Sequence, residues 1–221
     1  MIETLFPQAV VTVVATPPLE DEPLHPLEAA STGRMSAGRL REFAQGRACA
    51  RRALARLGYA DAPLLRGPDR MPVWPEGVVG SLTHCEGFCG VAAAVRGEIV
   101  SLGLDAEPDA PLSEGVLRRV CSDAEREHLA ALPGRSLHAW GKVVFSAKES
   151  FYKCYYAVTR TRLGFRDARI RLDPESGRFE ARLLRADAPD AAGARRFRGR
   201  FLLAAPLVLT GVTLRRDGSG D

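Results

Sequence analysis

The clearest apolar periodicity lies in two segments of the chain, residues 34–58 and 138–160. In the first, apolar residues recur near helical spacing before Gly58, a stop signal: Leu40, Phe43, Ala50, Leu54 and Leu57. In the second, the buried stripe is expected to be Ala147, Phe151, Cys154 and Val158. The opposite face carries Lys142, Phe145, Glu149, Lys153 and Tyr156. The pattern therefore predicts two long amphipathic helices.

Shorter elements are predicted between and around these helices. Residues 5–15, rich in Val and closed by Pro17-Pro18, predict a first strand. Residues 61–80 are rich in Pro and Gly and predict a loop, and residues 88–95 and 98–105 predict a hairpin turned at Arg96-Gly97. One short helix begins near Ser113, and Ser122 begins another through a capping box with Glu125.

The last part of the chain is β in character. Four segments predict strands: 166–172, 178–184, 195–205 and 207–215. The resulting order of strand, helix, hairpin, helices and strands predicts an α+β fold. A boundary near residue 102 would divide the chain into residues 1–102 and 103–221.

Composition excludes several classes of protein. Hydrophobic residues make up 46% and charged residues 26%, as in ordinary globular proteins. No stretch approaches the ~20 apolar residues of a membrane helix, and the chain begins without a basic region. A cytoplasmic location without membrane contact is expected. The five cysteines are an odd, scattered set, so neither a disulfide framework nor a zinc site is expected, and they are interpreted as packing residues.

The net charge of +4 comes with a strong preference for arginine. Only Lys142, Lys148 and Lys153 are lysines among 31 basic residues, and they lie within twelve residues of one another. The arginine-rich helix at 34–58 raises the alternative of a nucleic-acid-binding module. The 27 acidic residues and the lack of interleaved aromatics argue against it, so no nucleic-acid partner is expected.

Three short motifs carry candidate chemistry. Asp105 and Glu107 alternate along a strand and project from one face, which suits a shared Mg²⁺ but also describes a solvated strand end. Glu149 and Lys153 are spaced i, i+4, as in a helix-stabilising ion pair. Residues 80–84, GSLTH, offer donors to a phosphate, although a lone histidine is more often structural.

Taken together, the motifs resemble the 4′-phosphopantetheinyl transferases. GSLTH, GLDAE (103–107) and FSAKESFYK (145–153) occur in that family's order. The closer match is the Sfp type in its EntD-like branch, which also shows segments similar to FAQGRACARRAL (43–54) and WPEGVVGSLTHC (74–85). The resemblance covers most of residues 39–165.

The resemblance implies two similar lobes in a pseudo-twofold arrangement, with coenzyme A and Mg²⁺ in the cleft between them. The N-terminal lobe would bind the adenine and phosphates of coenzyme A, and the C-terminal lobe would carry the metal and the catalytic helix. The implied metal ligands are Asp105, Glu107, Glu149 and the carbonyl of Ala106. Glu149 would also be the general base, directly or through a water.

The resemblance assigns the basic residues to coenzyme A. Lys153 would contact the pyrophosphate, and Lys148 would assist phosphate binding or orient Glu149. Thr83 and His84 match a phosphate-holding segment, and His84 would reach the 3′-phosphate. The remaining positions are Arg39 and Arg47, near the 3′-phosphate, and Arg66, near the adenine in place of a lysine.

The implied reaction transfers phosphopantetheine from coenzyme A, or an acyl-coenzyme A, to a serine of acyl or peptidyl carrier proteins. Such carriers serve fatty acid, polyketide, nonribosomal peptide or siderophore synthesis. Acidic carriers would be attracted electrostatically to a basic enzyme. A monomer is expected, and a catalytically inactive scaffold is the alternative within the family.

Overall fold

The computed structural model describes residues 1–15, 23–33, 35–60 and 62–216. Its helices are a 3₁₀ helix at Ile2–Leu5, α1 (Pro26–Ala29), α2 (Ala37–Arg56), α3 (Glu114–Val120), α4 (Asp123–Ala130) and α5 (Leu137–Thr159). Its strands are β1 (Val11–Ala15), β2 (Leu65–Arg66), β3 (Pro72–Val73), β4 (Val78–Cys85), β5 (Phe88–Val95), β6 (Ile99–Pro108), β7 (Ala168–Asp173), β8 (Arg178–Leu183), β9 (Arg196–Ala204) and β10 (Leu207–Arg215). The predicted α+β class is confirmed.

The strands form two main antiparallel sheets. One has the order β1-β5-β4 and the other the order β6-β10-β9-β8-β7, while β2 and β3 make a short separate pair. The predicted pairing of residues 88–95 with 98–105 is therefore wrong. β5 pairs with β4 across the Glu86-Gly87 turn, where Gly87 has φ +71°, and β6 leaves to pair with β10.

The beginning of the chain also differs from the prediction. Residues 5–15 were expected to form one strand, but Ile2–Leu5 is helical and β1 starts at Val11. Pro7 lies between them and cannot donate to a strand ladder. Ile2 is fully buried, and the 3₁₀ helix packs against β9 and β10. Pro17 and Pro18, predicted to close this strand, lie outside the described residues.

The predicted helices are confirmed closely. Ser36, Ser122 and Ser136 each accept a hydrogen bond from a backbone N–H at the start of α2, α4 and α5, and Ser122 forms the expected capping box with Glu125. Arg34, which the prediction placed at the start of the first helix, and Asp61, at the start of the predicted loop, lie outside the described part of the chain. α2 ends at Arg56, just before Gly58, whose φ is +88°.

Helix α5 is the central element because it packs against both β6 and β10. Ala147, Phe151 and Cys154 are fully buried as predicted, but Val158 is 37% exposed because it borders an open cavity. Gly103 permits the close approach of α5 to β6, since a Cβ there would lie 1.8 Å from the carbonyl oxygen of Ser150. This contact brings the polar residues of α5 onto the strand that carries Asp105.

Four of the five cysteines are buried, as the packing interpretation predicted, and Cys85 is partly buried. In the described ranges, no helix combines the length and apolar character needed to cross a membrane. The division at residue 102 falls within β6, and the pseudo-twofold arrangement of two lobes remains a prediction.

Candidate active site

Asp105, Glu107 and Glu149 lie near one another in space. The first two leave the same face of β6, and Glu149 comes from the facing surface of α5. Burial raises the pKa of Glu149, and the charges of Asp105 and Glu107 raise it further. Burial and Asp105 also raise the pKa of Glu107. The predicted acidic set is therefore one electrostatic cluster, although 42 residues separate Glu107 from Glu149 in the sequence.

Asp105 is the most firmly held of the three carboxylates. It is 4% exposed, and its Oδ1 accepts a hydrogen bond of 2.8 Å from the ammonium of Lys153. Its Oδ2 accepts a bond of 2.9 Å from the hydroxyl of Ser146. Lys153 also donates to the carbonyl oxygen of Leu104 at 2.8 Å. The predicted Lys153 thus lies directly at the acidic cluster.

Glu107 has a lysine partner to which the sequence assigned no role. The ammonium of Lys142 lies 3.1 Å from Oε2 of Glu107 and 5.4 Å from the ring centroid of Phe145. Lys142 precedes Glu149 by two helical turns, so helical spacing alone placed it on the same face. Its contact with Glu107 depends on how α5 packs against β6.

Glu149 differs from the other two carboxylates because it has neither a hydrogen bond nor an ion pair within the described residues. Its side chain is only partly buried. A half-buried carboxylate whose pKa is raised, with no donor holding it, is suited to accept a proton. The role of Glu149 as a general base stays a prediction.

The acidic cluster has the donor chemistry of a magnesium site. Across the ranges that the structure describes, no group of three or more His, Cys, Asp or Glu side chains is placed so that it could hold a metal ion by itself. Mg²⁺ is usually held by one or two carboxylates together with substrate phosphates and waters, so the oxygens of Asp105, Glu107 and Glu149 fit it. The side chain of Ala106 is in the core and its N–H donates to Thr83, so only its carbonyl is a candidate ligand.

Arg47 is the most unusual cation near the site. It is 4% exposed, and its guanidinium carbon lies 4.1 Å from the centroid of the Phe43 ring. The pKa of Arg47 is lowered to about 10, chiefly by burial and also by the nearby charges of Arg66 and Arg39, while Glu28 opposes the shift. Among the residues that the structure describes, its buried Nε has no hydrogen-bond partner. Two arginines that repel the buried guanidinium of a third favour the binding of an anion between them.

His84 connects this basic group to the acidic cluster. Its Nε2 lies 2.5 Å from Nη1 of Arg39 and 3.2 Å from Oε2 of Glu42. Burial lowers the pKa of His84, and the charges of Arg39 and Lys153 lower it further. The structure therefore brings the charges of Arg39, Arg47, Arg66, His84 and Lys153 near one another, and their contact with coenzyme A stays a prediction.

Thr83 does not occupy the predicted position. On a strand, adjacent residues face opposite ways, so Thr83 points away from His84. Thr83 is 3% exposed; its hydroxyl lies 3.5 Å from Oδ1 of Asp105 and accepts a bond of 3.1 Å from the N–H of Ala106. The expectation that it touches phosphate is therefore wrong, and Thr83 supports β6 instead.

Lys148 is the clearest error among the predicted site residues. It is fully buried, and its ammonium donates to the carbonyl oxygens of Val120 at 2.8 Å and Phe165 at 2.7 Å. It also pairs with Glu125, whose Oε1 lies 2.9 Å away. Consecutive residues on an α-helix point ~100° apart, so Lys148 is directed away from the surface that carries Glu149. The ammonium of Lys148 therefore does not face a phosphate site in this structure, and its partners among the described residues do not include Glu149, which it was predicted to orient as the alternative.

A cavity of about 1470 Å³ lies beside Lys153. One wall comes from residues 67–82 and the other from residues 152–153 and 156–163. Asp69 joins the two walls, because it accepts hydrogen bonds from Tyr156 at 3.3 Å and Arg160 at 3.2 Å. The volume exceeds the upper end of the range of about 300–1,000 Å³ for small-molecule sites, so a long ligand can extend from Lys153 into it.

Known proteins are similar to this chain over most of its length. Residues 27–94 match the model of the 4′-phosphopantetheinyl transferase N-terminal domain, and residues 101–205 match that of the 4′-phosphopantetheinyl transferase superfamily. The chain is 45% identical over 221 residues to the 4′-phosphopantetheinyl transferase Svp of Streptomyces mobaraensis, covering 97% of this chain and 89% of that protein.

Two further relatives extend the comparison. The 4′-phosphopantetheinyl transferase PptT of Mycobacterium tuberculosis is 38% identical over 224 residues, which cover 97% of this chain and 98% of that protein. Enterobactin synthase component D of Escherichia coli is 36% identical over 138 residues, or 61% of this chain and 63% of that protein. The chain belongs to the 4′-phosphopantetheinyl transferase superfamily and is a transferase of that kind.

Proposed function

We propose that this transferase uses coenzyme A and Mg²⁺ to modify a serine of apo acyl or peptidyl carrier proteins. The products are the holo carrier and 3′,5′-ADP. The observation that carries the proposal is the contact between Lys153 and Asp105, beside an unpaired Glu149 and within a basic surface. The natural carriers would belong to polyketide, nonribosomal peptide, siderophore or fatty acid synthases.

Glu149 would accept the proton from the serine hydroxyl, directly or through a water. The serine oxygen then bonds to the phosphorus that bears the pantetheine arm, and the bond from that phosphorus to the oxygen of 3′,5′-ADP breaks. Burial and two neighbouring carboxylates favour the protonated form of Glu149, which increases its affinity for this proton.

The cations of the site would hold the diphosphate and the 3′-phosphate. Lys153 is close enough to the acidic cluster to stabilise charge on the departing 3′,5′-ADP. Arg47, with Arg39, His84 and Arg66 nearby, would bind the 3′-phosphate and lose the mutual repulsion of the free enzyme. The cavity beside Lys153 would receive the pantetheine arm and has room for an acyl group.

Asp105, Glu107 and Glu149 would hold Mg²⁺, with Ala106 contributing its carbonyl. When bound, the ion supplies charge neutralisation at the diphosphate. Lys142 and Lys153 pair with two of these carboxylates and balance part of their charge. The two ammonium groups therefore keep carboxylates close together that would otherwise repel one another.

The test is direct. Purified protein is incubated with an apo carrier protein, coenzyme A and Mg²⁺, and the carrier is weighed by mass spectrometry. The expected result is a mass gain of one phosphopantetheine arm, which a chelator prevents. Asp105→Ala should abolish transfer while circular dichroism remains unchanged. An Asp105→Ala enzyme that stays active and Mg²⁺-dependent would overturn the assignment of this site.

A further inference from the structure

A chain of buried hydroxyl groups lies behind Asp105. The hydroxyl of Ser146 donates to Oδ2 of Asp105 at 2.9 Å, and Oγ1 of Thr210 lies 2.9 Å from the same Ser146 oxygen. Thr210 also reaches the carbonyl oxygen of Ser146 at 2.9 Å and the hydroxyl of Ser150 at 3.0 Å. Ser146, Ser150 and Thr210 are fully buried, so these partners come from the protein alone.

The positions of the hydroxyls follow from the fold. Thr210 on β10 stands directly opposite Asp105 on β6, and opposed residues in an antiparallel pair face the same way. Ser146 and Ser150 are spaced i, i+4 on α5, which crosses above that pair. Gly103 allows α5 to approach closely enough for these contacts.

The direction of the hydrogen bonds can be worked out by counting protons. The carboxylate of Asp105, ion-paired with Lys153, only accepts, so Ser146 must give it its single proton. The Ser146 oxygen can then only accept. The single proton of Thr210 faces two acceptors on Ser146, its hydroxyl oxygen and its carbonyl oxygen, both at 2.9 Å, so Thr210 holds Ser146 in place beside Asp105.

The opposite side of the Asp105 carboxylate is also fixed. Its Oδ1 accepts from Lys153 at 2.8 Å and lies 3.5 Å from the hydroxyl of Thr83. With both oxygens restrained by groups from β4 and α5, and with Ser146 in turn contacted by Thr210 of β10, the carboxylate has one orientation before any ligand arrives. Groups that orient a ligating carboxylate typically change metal affinity or activity by about 10–100-fold when removed.

We propose that Ser146 and Thr210 are positioning residues that fix the orientation of Asp105 and thereby set the affinity of the site for a divalent cation. The inference rests on the proposed function, in which Asp105 is a ligand of that cation. Neither residue touches substrate, because both act through Asp105 from within the core.

The test uses Mn²⁺ as the probe, titrated into the intact protein saturated with coenzyme A, without carrier protein, and followed by electron paramagnetic resonance. Thr210→Val keeps the shape and removes the hydroxyl, and it should weaken Mn²⁺ binding about 10-fold. Thr210→Ser restores the hydroxyl and should bind within about 2-fold of the wild type. Ser146→Ala should weaken binding at least as much, because it removes the direct donor to Asp105.

Two controls distinguish a lost orientation of Asp105 from a general disruption of the fold. Thr213→Val changes another buried threonine of β10, on the opposite face, and should leave Mn²⁺ affinity unchanged. Coenzyme A affinity measured in chelator should be the same for all variants. The Ser146→Ala/Thr210→Val double variant should bind no more weakly than Ser146→Ala, because both act on one chain of hydrogen bonds.

The outcomes distinguish a failure of the positioning role from a failure of the proposed function. Equal Mn²⁺ affinity in wild type, Thr210→Val and Ser146→Ala would overturn the positioning role and leave the proposed function standing. Absence of Mn²⁺ binding to the wild type would overturn both. If Thr210→Val does not fold, Ser146→Ala gives the deciding measurement, with thermal unfolding as the check on its fold.

Discussion

The buried ion pair between Lys148 and Glu125 gives the sharpest quantitative prediction. Lys148→Met keeps the length and apolar stem of the side chain and removes the ammonium. Lys148 is fully buried and Glu125 is 1% exposed, so water cannot replace the lost charge. Burial lowers the pKa of Lys148, while Glu125 opposes that shift by favouring the ammonium. The pair holds together the end of α3, the start of α4 and the segment after α5.

The magnitude follows from the partners that the substitution leaves behind. Glu125 keeps the N–H groups of Ser122 at 2.7 Å and Ile170 at 2.8 Å, but it loses its only counter-charge among the described residues. The carbonyl oxygens of Val120 and Phe165 also lose the ammonium as donor. Removing one member of a buried pair costs about 3–5 kcal/mol, a large fraction of the ~5–15 kcal/mol that stabilises a typical domain.

The assay is urea unfolding followed by circular dichroism. Lys148→Met should lower the free energy of unfolding by about 3–5 kcal/mol, and Lys148→Met/Glu125→Gln should recover part of the loss because no unpaired charge remains. Lys142→Met is the matched control on the same helix. Its partner Glu107 is 25% exposed, so the change should cost about 1 kcal/mol or less.

Coenzyme A affinity distinguishes a structural ion pair between Lys148 and Glu125 from the phosphate-binding role that the sequence suggested for Lys148. Under conditions where the Lys148→Met protein stays folded, its affinity for coenzyme A should remain close to that of the wild type. A variant with wild-type stability that had lost coenzyme A binding would refute the reasoning. It would show that the ammonium of Lys148 reaches a phosphate after all.

Three further predictions follow from charge. Arg47→Ala should weaken coenzyme A about 10–100-fold, and dephospho-coenzyme A far less, in calorimetric titrations; equal losses would show that Arg47 does not read the 3′-phosphate. The folded protein lowers the pKa of His84, so the unfolded chain binds a proton on this imidazole more readily than the folded protein does. The free energy of unfolding should therefore fall as the pH drops through ~6.5. When Tm is followed from pH 7.5 to 5, the fall should be less steep in His84→Gln. Arg182 stands directly between Arg169 and Arg196 on the open face of the sheet, where like charges repel one another. Arg182→Glu should therefore raise Tm by about 1–4 °C. A gain in Tm that persists in 0.5 M NaCl would contradict the electrostatic cause.

Local sequence rules were sufficient for much of the secondary structure. Ser122 with Glu125 marked the start of α4, and the bounds of α5 and of β7 to β10 lie within two residues of their predicted positions. These signals depend on contacts between residues only a few positions apart, such as a cap or an alternating face. The residues of the acidic cluster could also be predicted from the sequence, because they belong to short motifs in a recognisable order.

Tertiary structure alone decided which elements meet. The pattern of β6 suits a hairpin with β5 equally well, but its partner β10 begins 99 residues after Pro108, and nothing local specifies that pairing. Thr210 consequently stands opposite Asp105, a neighbour that no spacing along the chain could reveal. Lys148 and Glu149 are adjacent in sequence and point ~100° apart, so only the packing of α5 determines which of them reaches the site and which is buried.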